Sequence, residues 1–134
     1  MAPKALNGLI GRLRDRVKSG QAGEDLACAH LRALGYEILE RNYRCRSGEV
    51  DIVARHGEST VFVEVKERRG TSHGEGVEAV TFGKRRRVIR ASRLYAAAKG
   101  ISERPIRFDV VSIDWANDRP SIRHDQGAFD ADGG

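Results

Sequence analysis

Gly48-Glu49-Val50-Asp51-Ile52-Val53-Ala54-Arg55 is followed by His56-Gly57-Glu58-Ser59 and then by Thr60-Val61-Phe62-Val63-Glu64-Val65-Lys66-Glu67-Arg68. Two β-branched, apolar runs flank a polar tetrapeptide that contains glycine, the pattern of an antiparallel hairpin with a tight turn. Each run is interrupted by an acid. Asp is depleted in strands, yet Asp51 lies between Val50 and Ile52, and Glu64 lies between Val63 and Val65. With Gly57 and Glu58 as the central turn residues, Asp51 falls directly across from Glu64. Opposed β-carbons are roughly 4.5–5.5 Å apart, and like charges there destabilise the pair. Side chains alternate faces, so Lys66 shares a face with Glu64. Two readings relieve the repulsion. A divalent cation suits a pair of carboxylates, because hard cations take oxygen ligands. Alternatively, Lys66 or a nearby arginine neutralises the acids in a salt-bridge ladder, with Glu49 opposite Lys66 in the same register. A slip of one residue would move every side chain to the other face.

The chain has 134 residues, of which 40% are hydrophobic and 32% charged. That length suits one domain with a modest core under a charged surface. The net charge of +5 favours a polyanionic partner over an acidic one. Cys28 and Cys45 match no metal spacing and make no disulfide framework, so a reducing compartment is the default. No apolar run approaches the roughly 18 residues of a membrane span, and the N-terminus lacks the apolar core and cleavage site of a signal peptide. The expectation is a cytoplasmic protein with no membrane partner.

Outward from the hairpin, residues 1–19 form a basic segment, read as a short amphipathic helix or a mobile arm. Gly8 and Gly11 weaken the helical reading. Gln21 to Leu34 reads as a helix with Ala27, Leu31 and Leu34 on one stripe, stopped by Gly35. Glu24, in its first turn, either serves a site or simply complements the helix dipole. Tyr36 to Cys45 reads as the first strand. Residues from Glu67 to Gly76 read as a mobile loop, in which Arg68, Arg69 and His73 are candidate phosphate contacts or ordinary exposed charges. A second helix begins near Thr81 to Lys84, with Val88, Ala91, Tyr95 and Ala98 as its buried stripe. Arg86, Arg90 and Arg93 recur at i, i+4 and i+7 on one surface of that helix. Like charges at that spacing oppose the helix by a few tenths of a kcal/mol per pair. The patch is therefore a candidate phosphate-binding face, with a solvated helix surface as the plain alternative. Ile106 to Asp114 is a strand joined by a helical crossover, the usual route to a parallel neighbour. Asp109 within it is read as structural, paired with an arginine. Residues 117–134, rich in Asp and Gly, read as a flexible tail. The expected domain spans 20–116, and its fold is α/β, with a mixed central sheet flanked by helices.

Several ordered blocks carry a family resemblance: Gly20-Gln21-Ala22-Gly23-Glu24, Gly35-Tyr36, Arg41-Asn42-Tyr43-Arg44, Gly48-Glu49-Val50-Asp51, Phe62-Val63-Glu64-Val65-Lys66 and Arg107-Phe108-Asp109-Val110-Val111. In order, they resemble the PD-(D/E)XK nuclease superfamily, and within it the YraN family of small predicted endonucleases. Val50 stands where the superfamily's namesake proline would be, a change that bears on backbone shape. The resemblance implies a restriction-endonuclease-like core and Mg²⁺- or Mn²⁺-dependent hydrolysis of nucleic-acid phosphodiesters. It implies that Asp51, Glu64 and the backbone carbonyl of Val65 hold the metal, that Lys66 orients the attacking water or steadies the pentacovalent phosphorus, and that Glu24 extends the metal shell. It also places Lys84 near the site. The nucleic-acid contacts are then Arg68, Arg69, Lys84, Arg86, Arg90 and Arg93. Similarity to Holliday junction resolvases points to branched DNA and to a homodimer. Two other classes stay open: a non-catalytic nucleic-acid-binding module that retains the nuclease fold, and a partner protein whose surface charge is incidental.

Overall fold

The computed structural model describes residues 21–69, 82–117 and 119–132. In chain order the elements are α1 (Ala22–Ala33), β1 (Glu37–Cys45), β2 (Gly48–His56), β3 (Ser59–Arg69), α2 (Phe82–Lys99), β4 (Ile106–Ala116) and β5 (Arg119–Phe129). The strands form one sheet in the order β1-β2-β3-β4-β5. β3 and β4 pair in parallel, whereas the other three pairings are antiparallel. The helical crossover therefore does place a parallel neighbour beside β3. The result is a mixed α/β sheet, as expected.

The β2–β3 hairpin turns at Gly57, which has φ of 62°, a left-handed conformation that glycine enters without a side-chain penalty. His56 faces Ser59 and Ile52 faces Val63, which is the register that a Gly57-Glu58 turn demands.

Alternation along the strands splits the core into two layers. Val61, Val63, Val111 and Ile113 pack with Ala27, Cys28 and Leu31 of α1. Phe62, Phe108 and Val110 pack with Val88, Ile89, Ala91 and Tyr95 of α2. Phe62 is fully buried, and its ring meets Tyr95 edge-on with centroids 5.7 Å apart, a favoured aromatic geometry. Side chains at even positions of β3 thus run from a packed core at Phe62 toward the acid at Glu64. β2 lies so close to α2 that a β-carbon on Gly48 would sit 2.1 Å from the backbone oxygen of Arg87. Only glycine allows that approach.

Four expectations need correction. The segment 117–134, expected to be a flexible tail, carries β5, an edge strand antiparallel to β4. It is exposed along most of its length because polar groups and backbone bonds hold it, with Phe129 as its buried apolar anchor. Leu34 terminates α1 and is half exposed, since the stripe of Ala27 and Leu31 ends where the helix does. On α2, Ala98 is exposed and Ser92 and Ala96 are buried, because the helix lies with that flank against the sheet. β3 continues through Glu67, Arg68 and Arg69, which were expected to begin a loop; parallel pairing with Asp114 and Trp115 extends it. The remainder of that loop, including His73, and the N-terminal segment 1–19 lie outside the described residues.

Candidate functional site

The β2–β3 ladder runs from the turn to Ile52–Val63. At that point the Asp51 carboxylate takes over. Its Oδ2 accepts the Val65 backbone N–H at 2.8 Å. A side chain thus satisfies a donor that continued pairing would otherwise have used. Glu64, 1% exposed, sits beside it on β3. Among the described residues neither Glu64 oxygen has a well-formed hydrogen bond. Oε2 lies 3.1 Å from Nζ of Lys84, in the first turn of α2, as an ion pair.

The electrostatics follow from that geometry. Burial, then the Asp51 charge, pushes the Glu64 carboxyl up to about 8, with Lys84 pulling the other way. Burial raises the Asp51 carboxyl too, against the Val65 bond and Lys84. Burial pulls Lys84 down, but Glu64 outweighs it and the ammonium is raised. Two carboxylates destabilised by burial and by each other are the arrangement that a hard cation relieves. Oε1 of buried Glu64, without a hydrogen-bond partner among the described residues, gives such a cation a direct acceptor, and Asp51 retains an oxygen besides the one on Val65. The residues fit the group.

Lys66 lies two residues beyond Glu64 on β3, on the α2 side of the sheet by alternation. Its parallel partner is Ser112. Glu49 is ion-paired with Arg44 across β1–β2 at 3.6 Å, both partners well exposed.

Glu24 is placed differently. Its Oε1 accepts from Arg41 Nε at 2.9 Å and from Asn42 Nδ2 at 2.9 Å, while Arg41 NH2 also reaches Asp25 at 2.7 Å. Glu24 adds to the field that raises Asp51. Among the described residues, however, no three acid, histidine or cysteine side chains gather as a metal-holding group. Glu24 is therefore not brought together with Asp51 and Glu64. Asn42 has φ of 55°, in the left-handed region that asparagine tolerates, and by register it falls opposite Asp51. Sequence reasoning assigned Arg41 and Asn42 no role. Asparagine inside a strand was the only local hint.

The cationic residues fall into two groups. Arg86, Arg90 and Arg93 share one face of α2, as their spacing predicts, and line a groove of about 260 Å³ with Phe82, Ile89 and Asp132. Arg68 and Arg69 end β3. Arg69 is bonded to Glu67 and lies over the Trp115 ring at 5.6 Å. Arg68 lines a second groove, with Lys66.

On the α1 side of the sheet, at the level of the Val63–Asp109 pairing, lies a polar cluster larger than the single ion pair expected of Asp109. Asp109, fully buried, accepts from Tyr36 Oη at 3.0 Å, Arg107 Nε at 2.8 Å and the Gly127 N–H at 3.1 Å, and it contacts His124 Nε2 at 2.8 Å. The expected Asp109–arginine pair is present, with Arg107 in that role. Burial, and then Asp109, push Tyr36 up to about 12. The cluster ties β1's entry, β4 and β5 together.

A mixed sheet with a helix on each face, and an acid pair where two central strands part, defines an α/β protein consistent with a nuclease-like core. The chain belongs to the uncharacterised protein family UPF0102, whose model matches residues 23–113. A UPF0102 protein of Syntrophotalea carbinolica is 46% identical over 118 residues, covering 88% of this chain and 96% of the relative. One from Nocardia farcinica is 45% identical over 122 residues, covering 90% and 96%. One from Symbiobacterium thermophilum is 49% identical over 113 residues, covering 84% and 96%. No helix among the described residues is long and apolar enough to cross a membrane.

Proposed function

We propose that this protein is a divalent-metal-dependent endonuclease that hydrolyses nucleic-acid phosphodiester bonds, with branched DNA as the first substrate to test. The observation that carries this reading is the buried Glu64, whose Oε1 has no hydrogen-bond partner among the described residues, beside Asp51. A fully buried carboxylate without full hydrogen bonding costs stability, and a site for a hard cation accounts for retaining it.

Asp51, Glu64 and the Val65 carbonyl would hold Mg²⁺ or Mn²⁺. When bound, such an ion lowers the pKa of a water and offsets charge on the phosphate oxygens. The Val65 N–H fixes the orientation of Asp51 through Oδ2. Lys66 supplies an ammonium beside Glu64, to donate to the attacking water or to a non-bridging phosphate oxygen. The water oxygen loses a proton and bonds to phosphorus, the bond to the leaving sugar oxygen breaks, and that oxygen takes up a proton. Glu24 acts from a distance, by field and by holding Arg41 and Asn42. The α2 arginines give the strand a cationic track.

A cleavage panel of linear, flapped and four-way DNA with Mg²⁺ or Mn²⁺ tests the reading. Asp51→Asn and Lys66→Ala are expected to abolish cleavage while remaining folded. Undiminished metal-dependent cleavage by folded Asp51→Asn would overturn it. A second reading, a non-catalytic nucleic-acid-binding module, is favoured by the Lys84–Glu64 ion pair, which partly satisfies the acid without a metal. Calorimetric titration with Mn²⁺ separates the two: heat that depends on both Asp51 and Glu64 supports the enzyme, and no heat supports the module.

A further inference from the structure

Beyond Glu64, two rows of side chains cross the exposed ends of three strands. Lys66 on β3 neighbours Ser112 on β4, which neighbours Arg123 on β5. One step further along, Arg68 neighbours Asp114, which neighbours Ser121. All six line a groove of about 200 Å³. Ser121 and Arg123 come from the strand that lies beyond the family-matched residues 23–113.

The rows differ in chemistry. The second is close to neutral, because Asp114 stands beside Arg68. The first contains an ammonium, a hydroxyl and a guanidinium, all hydrogen-bond donors. Arg123 also meets Asp125 at 3.2 Å, with its side chain 63% exposed, and an exposed pair of that kind holds an arginine only weakly. The Ser112 hydroxyl lies between Lys66 and Arg123 in the row. It is shut off from solvent and, among the described residues, has no hydrogen-bond partner. A buried hydroxyl without a partner is uncommon and calls for an explanation. The groove is smaller than the roughly 300–1,000 Å³ of sites for whole small molecules, so it suits one unit of a longer polymer.

We infer that the row Lys66–Ser112–Arg123 is a subsite for one sugar–phosphate unit of a nucleic-acid strand, flanking the bond positioned at Asp51 and Glu64. The inference rests on the proposed nucleic-acid substrate, but it is independent of catalysis. Lys66 belongs to both the subsite and the acid pair, so a strand seated there continues past Glu64. Arg123 supplies the next phosphate with a charged donor, and Ser112 adds a hydroxyl once the side chains that cover it turn toward the strand.

Fluorescence anisotropy with a labelled single-stranded oligonucleotide, in EDTA and at a series of salt concentrations, tests this on the full chain. Loss of one phosphate contact reduces the salt slope by about 0.7 for a single strand, so Arg123→Ala should shrink the affinity loss between 50 and 200 mM salt by about 2.5-fold. Arg123→Lys should keep the slope. Ser112→Ala should weaken binding at an unchanged slope, and Arg32→Ala, on α1 away from the groove, should change neither. An unaltered slope in folded Arg123→Ala overturns the subsite. So does a dependence on Arg123 seen with a 5′-mononucleotide but not with the oligonucleotide, which would assign the groove to a small free anion. Absence of cleavage by the wild type alongside the predicted slope change would remove the endonuclease and leave the subsite standing. Cleavage alongside an unchanged slope would do the reverse.

Discussion

The Asp51 carboxylate accepts the backbone N–H of Val65 at 2.8 Å, immediately past Ile52–Val63, the last pair of the β2–β3 ladder. The two central strands part there with that donor still satisfied. The opening leaves Glu64 buried next to a second acid.

That burial has a pH signature. The folded-state Glu64 pKa is raised from 4.5 to about 8. Between those values the folded chain holds a proton that the unfolded chain has lost, so stability falls as pH rises from about 4.5 to about 8. In EDTA, urea denaturation should show a loss on the order of 3–5 kcal/mol across that window. Glu64→Gln should flatten the dependence. A metal-free stability that does not fall between pH 5 and pH 8 contradicts the prediction.

Lys84 competes with any cation for Glu64, being 3.1 Å from its Oε2. Lys84→Met is expected to tighten Mn²⁺ binding severalfold, measured by calorimetry, since like charges in one site repel. In the absence of metal the same variant should raise the Glu64 carboxyl further. Weaker Mn²⁺ binding by Lys84→Met would show that the lysine supports the ion rather than opposing it.

Asp109 should be among the costliest positions to change. Asp109→Ala leaves Arg107, the Tyr36 hydroxyl and the Gly127 N–H without their buried acceptor, and removing one partner of a buried ion pair costs about 3–5 kcal/mol. Thermal or urea unfolding measures this. Burial alone would raise Asp109, but bonds from Arg107, His124 and Gly127 outweigh it and the carboxyl is lowered below 3.8. Its contribution is therefore present above that value and is lost as pH falls through the lower folded-state pKa. Asp109→Ala should accordingly flatten the acid limb of the stability curve, below about pH 4.

Gly48→Ala forces a β-carbon to 2.1 Å from a backbone oxygen of Arg87. Neither side is a flexible side-chain tip, so β2 or α2 must shift, at a cost of roughly 1–3 kcal/mol or more. A midpoint in urea equal to that of the wild type would mean the close approach is not rigid.

What could be read from the chain in advance was local. Gly57 placed the turn and the turn set the register as far as Ile52–Val63, but the expected Asp51–Glu64 pairing gives way there to the Asp51 bond with the Val65 N–H, with the two acids still side by side. Val61, Val63 and Val65 marked one face of β3 because alternation is visible in any single strand. What escaped depended on partners distant in sequence. β5 is an exposed edge strand with Phe129 as its buried end, so no apolar alternation announces it. It is held by Asp109 through His124 and Gly127, 15 and 18 residues away. Glu24 looked like a third acid for the site, but its partners Arg41 and Asn42 lie on another element, and nothing local to the helix reveals them. The arginine spacing placed three side chains on one face of α2, whereas the grooves required neighbouring elements to be seen side by side.

The parallel pairing of β3 with β4 also bears on the order of assembly. β2 and β3 meet through a tight turn, and such hairpins close within microseconds. The β3–β4 pair joins segments distant in sequence, an entropic cost that slows non-local pairing. On that order Asp51 and Glu64 would meet before Lys84 and the α2 layer arrive, and a nascent chain at neutral pH would face their repulsion without cover. A divalent ion or a slightly acidic medium during refolding should hasten the first step.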